Sequence, residues 1–188
     1  MTFSRESDVL LVRDQVTSAL GAPSVLVNAA GAFALARVPD MSEEDSDWIL
    51  DVNLKGTFLT CKAFFPVMIE ARSGVIVNIA STTGIRSAKD RAAYCASKRE
   101  VVLFTGAPGA DHGPDAVRIN CVCPGIIDSS MASWIKGDPE VLEVWARSIP
   151  VDSMGKVEEV ASVVASLASE EAGYVHGATF VVDGGESK

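Results

Sequence analysis

The chain has 188 residues, of which 48% are hydrophobic and 22% are charged, so it can bury the core of one domain and is too apolar for wholesale disorder. Its net charge of −9, with no cluster of Lys or Arg, argues against a nucleic-acid surface. The sequence shows neither a signal peptide nor an apolar run long enough to span a membrane. We therefore predict a single cytoplasmic domain over residues 1–188, with no nucleic-acid or membrane partner.

Cysteine and histidine usage argues against a metal site. The two histidines lie far apart in the sequence, and the four cysteines form no Cys-x-x-Cys pair. We expect buried, reduced thiols and no bound metal. The cysteines are Cys61, Cys95, Cys121 and Cys123.

The first predicted elements are a helix and a short strand. Apolar residues recur at helical spacing over residues 5–20, and Gly21 supplies a stop. A buried strand, Val25–Asn28, then runs into the small-residue turn Ala29-Ala-Gly31, where another backbone or a ligand can approach closely. Taken alone, the asparagine that ends this strand is interpreted more simply as a turn former that bonds its own backbone.

A long helical region is predicted to begin at Ser42, whose side chain is suited to cap a helix, and to run to about Arg72. Asn53 lies in its middle, where an amide lowers helix propensity and must find partners. It is therefore either exposed or functional. The apolar face is wider than one packing partner requires and contains Trp48, Val52, Phe58, Cys61, Phe64, Phe65 and Met68.

The next segment carries the strongest chemical signal. Ser81 follows the buried strand Val75–Ala80, at the carboxyl end where open α/β sheets bind ligands. If the segment from Ala92 is helical, Tyr94 and Lys98 lie one turn apart on one face. A tyrosine titrates near ~10, and the neighbouring ammonium is expected to lower that pKa toward neutrality. The plainer alternative is a strand-end serine and a Tyr/Lys pair on a solvated face.

The last third of the chain adds two strands and a helix. A third buried strand, Val117–Cys123, is ended by Pro124-Gly125. Residues 128–151 form either a lid over a substrate or a pair of surface helices, and the apolar side chains favour the lid. A helix over Glu158–Ser169 and a strand over Ala178–Val182 follow. Strands that alternate with helices predict an α/β fold with a parallel sheet.

In this order, the segments resemble the short-chain dehydrogenase/reductase family across essentially the whole chain. The resemblance implies a Rossmann-like parallel sheet flanked by helices. The matching segments are Asn28-Ala-Ala-Gly31, Asn53, Ser81, Tyr94-x-x-x-Lys98, Pro124-Gly125 with Ser129, and Val182-Asp-Gly-Gly185.

The resemblance also implies a mechanism. Tyr94 exchanges a proton with the substrate oxygen, Ser81 hydrogen-bonds that oxygen, and Lys98 lowers the tyrosine pKa and holds the nicotinamide ribose. Asn53 anchors a water that relays protons. The residues implied in binding NAD or NADP are Asn28, Ala29, Gly31, Tyr94, Lys98, Pro124, Gly125, Ile127 and Ser129.

Two features depart from the family pattern. The family opens with a strand and a Thr-Gly-x-x-x-Gly-x-Gly turn that holds the pyrophosphate, and the 188 residues contain no such turn. The chain is therefore expected to be truncated at its N-terminus, to retain strands corresponding to 4-5-6-7 of the family with the Val25 strand at the edge, and to bind the cofactor weakly. In addition, Pro108 is expected to break or kink the helix that follows Tyr94, at a cost of ~3 kcal/mol.

Two classes of function follow. The first is an NAD(P)-dependent oxidoreductase that interconverts an alcohol and a ketone. The second is a catalytically silent remnant that serves as an oligomer-forming or interaction protein. In both cases we expect a homo-oligomer, a dimer or a tetramer, because the Asn53 and Tyr94 helices carry more apolar surface than one sheet face covers.

Overall fold

The computed structural model describes residues 3–137 and 139–188. Its centre is a four-stranded sheet in which every pair of neighbours is parallel and the strand order is β1-β2-β3-β4. The predicted parallel α/β sheet is confirmed. The strands are β1 (Val25–Asn28), β2 (Gly74–Ile79), β3 (Val117–Pro124) and β4 (Thr179–Val182).

Helices connect the strands as the sequence pattern predicted. The first helix ends at Gly21, which has φ 81°, and the side chain of Ser42 caps the second by accepting from the Asp45 N–H at 3.0 Å. The helices are α1 (Glu6–Leu20), α2 (Glu43–Leu50), α3 (Gly56–Glu70), α4 (Ala92–Asp111), α5 (Ser133–Lys136), α6 (Pro139–Arg147) and α7 (Val157–Ala168).

The two faces of the sheet are covered unequally among the described residues. On one face α3 and α4 pack on the strands, with Phe65 and Met68 against Ile76 and Ile119, and α1 packs on α3. On the other face α7 packs on β2 and β3. At the edge, Val25 and Val27 of β1 are each 42% exposed. The predicted edge position of this strand is confirmed for the part of the sheet that the structure describes.

One turn of π-helix joins α2 to α3 and was not predicted. It comprises Asp51–Lys55, and Asn53 lies at its centre, 1% exposed. The wider turn inserts an extra residue between two stretches of ordinary α-helix. As a result, α2 packs against α4 whereas α3 packs against the sheet.

Of the two predicted effects of Pro108, a break or a kink in the helix that follows Tyr94, the break is wrong. Helix α4 continues through it to Asp111, and the carbonyl of Pro108 accepts the N–H of His112 at 2.9 Å. The proline removes one hydrogen bond near the end of a long helix, and tertiary packing offsets that loss. This packing is close, because a Cβ on Gly109 would lie 2.8 Å from the Cα of Gly177.

All four cysteines are free thiols, as predicted, and three of them are buried, whereas Cys95 is half-buried against the prediction. Burial raises the pKa of the Cys61 thiol to about 12, so this group stays protonated at neutral pH.

Within residues 3–137 and 139–188, none of the helices is both long and apolar enough to cross a bilayer.

Candidate active site

Ser81 lies at the carboxyl edge of the sheet, two residues beyond β2, and begins a short 3-10 turn. Its hydroxyl oxygen accepts a hydrogen bond from the Thr83 N–H at 3.2 Å and lies 2.9 Å from the Thr83 hydroxyl. These bonds fix the position of the serine oxygen. The sequence predicted this location from the strand that precedes it.

Tyr94 lies in the first turn of α4, and its ring is almost fully buried. The ring meets that of Phe33 edge to face, with 5.0 Å between the centroids. Its hydroxyl lies 3.9 Å from the sulfur of Met131, and the Ser81 side chain is close enough to lower the pKa of Tyr94 by hydrogen bonding to its charged form. The structure thus brings the predicted serine and tyrosine together.

Lys98 follows Tyr94 by one helical turn, and its side chain is buried. Its Nζ donates to the carbonyl oxygen of Ile79 at 2.9 Å and lies 5.8 Å from the centroid of the Tyr94 ring. The last residue of β2 therefore anchors the ammonium beside the tyrosine. The alternative of a Tyr/Lys pair on a solvated face does not describe this arrangement.

The pKa of Tyr94 departs from the expectation. Burial raises this pKa above its usual value, and the hydrogen bond from Ser81 and the charge of Arg91 oppose that shift. Burial also lowers the pKa of Lys98 to about 8, because a dry site disfavours the ammonium. The pKa of Tyr94 is thus not lowered below its usual value as expected, since the cost of burying the phenolate dominates.

Asn53 is buried, and its amide is bonded within the protein. The amide oxygen accepts from the Ala32 N–H at 2.7 Å, while the amide nitrogen donates to the Ala32 carbonyl and the Ser97 hydroxyl, each at 2.9 Å. Ser97 in turn donates to the carbonyl of Tyr94 at 2.8 Å. The side chain therefore ties the turn after β1 to the first turn of α4.

The side chain of Asn28 is part of a buried polar network and does not bond its own backbone. Its amide nitrogen donates to the oxygen of Asn78 at 2.8 Å, and its oxygen accepts from the hydroxyl of Thr60 at 2.8 Å. Asn78 donates in turn to the hydroxyl of Thr105 at 3.0 Å. We call Asn28, Thr60, Asn78 and Thr105 the framework network. It joins β1 and β2 to α3 and α4.

The turn after β3 lies at the same edge of the sheet. Ile127 pairs with Gly155, and a Cβ on Gly125 would lie 2.7 Å from the Cβ of Asp183. The same Cβ would lie 2.8 Å from an oxygen of Glu186, which forms an ion pair with Arg86 in the segment after Ser81. The close-packed glycine thus joins this turn to the end of the chain. Pro124 ends β3, and Ser129 precedes the 3-10 turn Ser130–Ala132.

Gly31 lies where the predicted residues converge. A Cβ on it would lie 3.6 Å from the amide oxygen of Asn53, 3.7 Å from Nζ of Lys98 and 3.4 Å from the terminal methyl of Met131. The glycine therefore leaves space between the ammonium and the turn after β1, and Ala29 belongs to the same turn. A sugar hydroxyl placed there could accept a hydrogen bond from Lys98, so the residues present fit the ribose end of a nicotinamide cofactor.

A cleft opens beside this point and is suited to a substrate, because it is mainly apolar with a few hydroxyl groups. Its lining includes Phe33, Leu35, Trp48, Met131 and Ser133. A second cleft lies at the opposite end of the strands, where Arg72, Arg118 and His176 contribute to its walls. It is remote from Ser81 and Tyr94. The described part of the chain groups no three His, Cys, Asp or Glu side chains in a way that could hold a metal ion.

Sequence reasoning missed Arg91 and Phe33. The guanidinium carbon of Arg91 lies 5.8 Å from the centroid of the Phe33 ring and 5.5 Å from that of Trp145 on α6. An arginine three residues before the tyrosine has no short-range signature, so only the fold reveals its proximity. Met131 and Trp145 belong to the segment 128–151, for which the sequence favoured a lid, and the structure places Met131 beside Tyr94 and Trp145 beside Arg91.

A family model described as enoyl-(acyl carrier protein) reductase matches residues 3–187. The 2-(R)-hydroxypropyl-CoM dehydrogenase of Xanthobacter autotrophicus is 36% identical over 182 residues, which are 95% of this chain and 73% of that protein. The 3-oxoacyl-[acyl-carrier-protein] reductase of Thermotoga maritima is 39% identical over 175 residues, which cover 93% of this chain and 70% of that protein.

Solved structures agree with this match. A gluconate 5-dehydrogenase from Burkholderia cenocepacia, in complex with NADP and tartrate, superposes with a TM-score of 0.96 at 27% identity and covers 100% of this chain and 73% of its own. An aldohexose dehydrogenase from Thermoplasma acidophilum superposes with a TM-score of 0.93 at 34% identity, and the match covers 98% of this chain and 76% of that protein. The chain therefore spans about three quarters of the length of these proteins.

Proposed function

The chain belongs to the short-chain dehydrogenase/reductase family of oxidoreductases, and on that premise we propose that it interconverts an alcohol and a ketone with NAD or NADP. One observation carries the proposal. The buried side chain of Tyr94 lies beside Ser81 at the carboxyl edge of the sheet, where the serine can hydrogen-bond its phenolate, and the buried ammonium of Lys98 is one helical turn away. An acid–base group, an oxygen-binding hydroxyl and a cation thus meet beside an apolar cleft.

In this mechanism Tyr94 gives a proton to the ketone oxygen or takes one from the alcohol. Ser81 donates a hydrogen bond to the same oxygen, which stabilises the charge that develops there. When bound, the nicotinamide supplies or accepts the hydride. Because Tyr94 is buried, its proton is exchanged in a site of low dielectric, where the bond with Ser81 is strengthened.

Lys98 and Asn53 complete the proposed catalytic set. Lys98 binds the ribose with the donors that its bond to Ile79 leaves over, and it balances the charge of the phenolate. Asn53 fixes the turn after β1 through Ala32 and supports the proton path outward. The cofactor-binding set proposed from the sequence is unchanged, but the side chain of Asn28 is engaged in the framework network, so its contribution would come from its backbone.

The cofactor is proposed to bind weakly to this chain. The 188 residues contain no Thr-Gly-x-x-x-Gly-x-Gly turn, so the pyrophosphate would lack two or three charge-assisted hydrogen bonds of roughly 1.5–3 kcal/mol each. The loss of these bonds should weaken binding by about three orders of magnitude or more, so we expect a Kd in the millimolar range or above. Titration of NADH and NADPH against tryptophan fluorescence measures it, and micromolar binding of either nucleotide would contradict the proposal.

The decisive experiment on the function is the pair of variants Tyr94→Phe and Tyr174→Phe. The chain has two tyrosines, and Tyr174 is fully exposed, so its variant is a matched control. We expect Tyr94→Phe to abolish nicotinamide oxidation or reduction with a panel of secondary alcohols and ketones, because no proton donor remains beside Lys98. Tyr174→Phe should retain the parent activity. Retained turnover in Tyr94→Phe would refute the assignment.

The alternative function is that of a catalytically silent oligomer-forming or interaction protein. The observation in its favour is exposed apolar surface on α3 and α4, where Phe58 is 45% and Leu103 54% exposed and the Phe58 ring lies 6.2 Å from that of Phe104. We propose that these helices pair in a homo-oligomer, a dimer or a tetramer, in either case. An oligomer without nucleotide binding or turnover would favour the silent alternative.

Light scattering at micromolar concentration tests the pairing. The substitution Leu103→Glu should shift the parent oligomer toward monomer, because it would bury a carboxylate in the interface. Val144→Glu, at a position 69% exposed on α6, is the matched control. A parent chain that is already monomeric would contradict the proposed oligomer.

A cytoplasmic location is retained as part of the proposal.

A further inference from the structure

Arg91 occupies a defined position between three elements of the site. It is the residue immediately before α4, and its backbone pairs with Ala36 in the segment after β1. Next to this pairing, the N–H of Ala36 donates to the carbonyl of Asp90 at 2.9 Å. The backbone of Arg91 is therefore fixed against the segment after β1.

The guanidinium of Arg91 lies between two aromatic rings. One ring is that of Phe33, which itself meets the edge of Tyr94, and the other is that of Trp145 on α6. Both distances are within the range in which a ring face attracts a cation. The arrangement forms a continuous series of contacts from Trp145 on α6, through Arg91 and Phe33, to Tyr94.

We propose that Arg91 is a positioning residue that couples α6 to Tyr94: its guanidinium, held between the rings of Phe33 and Trp145, favours the charged form of Tyr94. The inference rests on the proposed acid–base function of Tyr94 and deepens it. Its chemical content is that a cation acts on the phenol from the residue before α4, beside the Trp145 ring of the segment 128–151.

The other groups around Tyr94 support this assignment. Burial has the largest effect and raises the pKa of Tyr94, hydrogen bonding by Ser81 and the charge of Arg91 lower it, and Cys95 raises it. Lys98 uses one N–H on the carbonyl of Ile79. The groups that face the tyrosine are Ser81 from the turn after β2, Phe33 from the turn after β1, Arg91, Cys95 and Lys98 from α4, and Met131 from the turn before α5.

The test compares Arg91→Gln and Arg91→Lys in a Tyr174→Phe background, where Tyr94 is the one tyrosine. The measurement is phenolate absorbance at a fixed alkaline pH at which circular dichroism shows all variants folded. We expect Arg91→Gln to lower the phenolate fraction roughly threefold or more, and Arg91→Lys to lower it less because the charge remains. Arg147→Gln is the control, since Arg147 pairs with Glu143 on the exposed surface of α6. An unchanged fraction in Arg91→Gln would overturn the proposal.

A second pair of variants tests the coupling to α6. Trp145→Leu should lower the phenolate fraction by about twofold, because water then screens the guanidinium. Val144→Ala on the same helix should leave it unchanged. No change in Trp145→Leu would overturn the coupling. Because phenolate absorbance requires no turnover, a parent chain without dehydrogenase activity would refute the proposed function and leave this test intact.

Discussion

Two sets of buried polar side chains lie close together along α4, and they use their hydrogen bonds differently. In the framework network the members bond one another: Asn78 is fully buried, accepts from Asn28 and donates to Thr105. In the site, Lys98 donates one hydrogen bond, to the carbonyl of Ile79, and Ser81 accepts from Thr83, which leaves both with unused hydrogen-bonding capacity, whereas Asn53 is fully bonded. Polar groups that saturate one another hold elements in place, whereas those with donors and acceptors to spare can bind a substrate.

This comparison predicts a separation of stability from activity. Substitutions in the site should remove turnover and leave the fold intact, and substitutions in the framework network should do the reverse. The largest effect is expected for the turnover of Lys98→Met, which should fall by roughly 10²–10⁴-fold, the range for loss of an acid–base partner. Nicotinamide absorbance measures it. Lys62→Met is the control, because Lys62 is exposed and pairs with Glu6.

The next largest effect is expected for Asn78→Ala. The substitution leaves Thr105 and Asn28 without their shared partner in the core, and the free energy of unfolding should fall by about 3 kcal/mol. Urea unfolding measures the change, while activity per folded molecule should be retained. Ser162→Ala, on the exposed face of α7, should change the free energy by far less. Equal losses in the two variants would remove the distinction between framework and surface.

Lys98→Met should also stabilise the protein by about 2 kcal/mol at neutral pH. Burial lowers the pKa of Lys98 from 10.5 to about 8, so below pH 8 the buried ammonium destabilises the folded state by roughly 3 kcal/mol. The substitution removes this cost, but it also removes the hydrogen bond to Ile79, which contributes about 1 kcal/mol of stability. Between pH 8 and 10.5 the unfolded chain binds more protons, so the parent gains stability as the pH rises. The advantage of Lys98→Met should thus shrink across this range in urea unfolding measured at several pH values. A constant difference would refute the buried ammonium.

The smallest effect is expected for Ser97→Ala, which probes whether the two sets are independent. Ser97 links Asn53 to the carbonyl of Tyr94, so it touches both the structure and the site. We expect a loss of about 1 kcal/mol in unfolding free energy together with a turnover only a few-fold lower. A loss of turnover as large as that of Lys98→Met would show that the sets are not separable.

The sequence predicted much of the fold, because the strands are short runs rich in β-branched residues and several helices have a start or stop signal of their own. Gly21 and Ser42 end and begin helices as their chemistry requires. Pro108 misled the prediction, since local propensity does not register that α4 packs along β3. The π-turn escaped prediction because one extra residue barely alters an apolar pattern that is already wide.

For the candidate site, the sequence predicted Ser81, Tyr94 and Lys98 through their spacing and the strand that precedes them. The structure assembles these three, and their catalytic roles remain proposals. The electrostatic balance at Tyr94 could not be predicted, because it depends on burial and on Arg91, which the fold brings near. The role of Asn28 in the framework network likewise required knowledge of which strand lies beside β1.

The π-turn at Asp51–Lys55 has a consequence for anyone who edits this chain. Each residue added to or removed from a helix rotates everything beyond it by ~100°. Deleting one residue from the turn would convert the region into an uninterrupted α-helix, and would swing the side of α2 that carries Ile49 away from Tyr94. A designer seeking straight helices would regard this turn as redundant. It nevertheless allows one continuous helical segment to pack against α4 through α2 and against the sheet through α3.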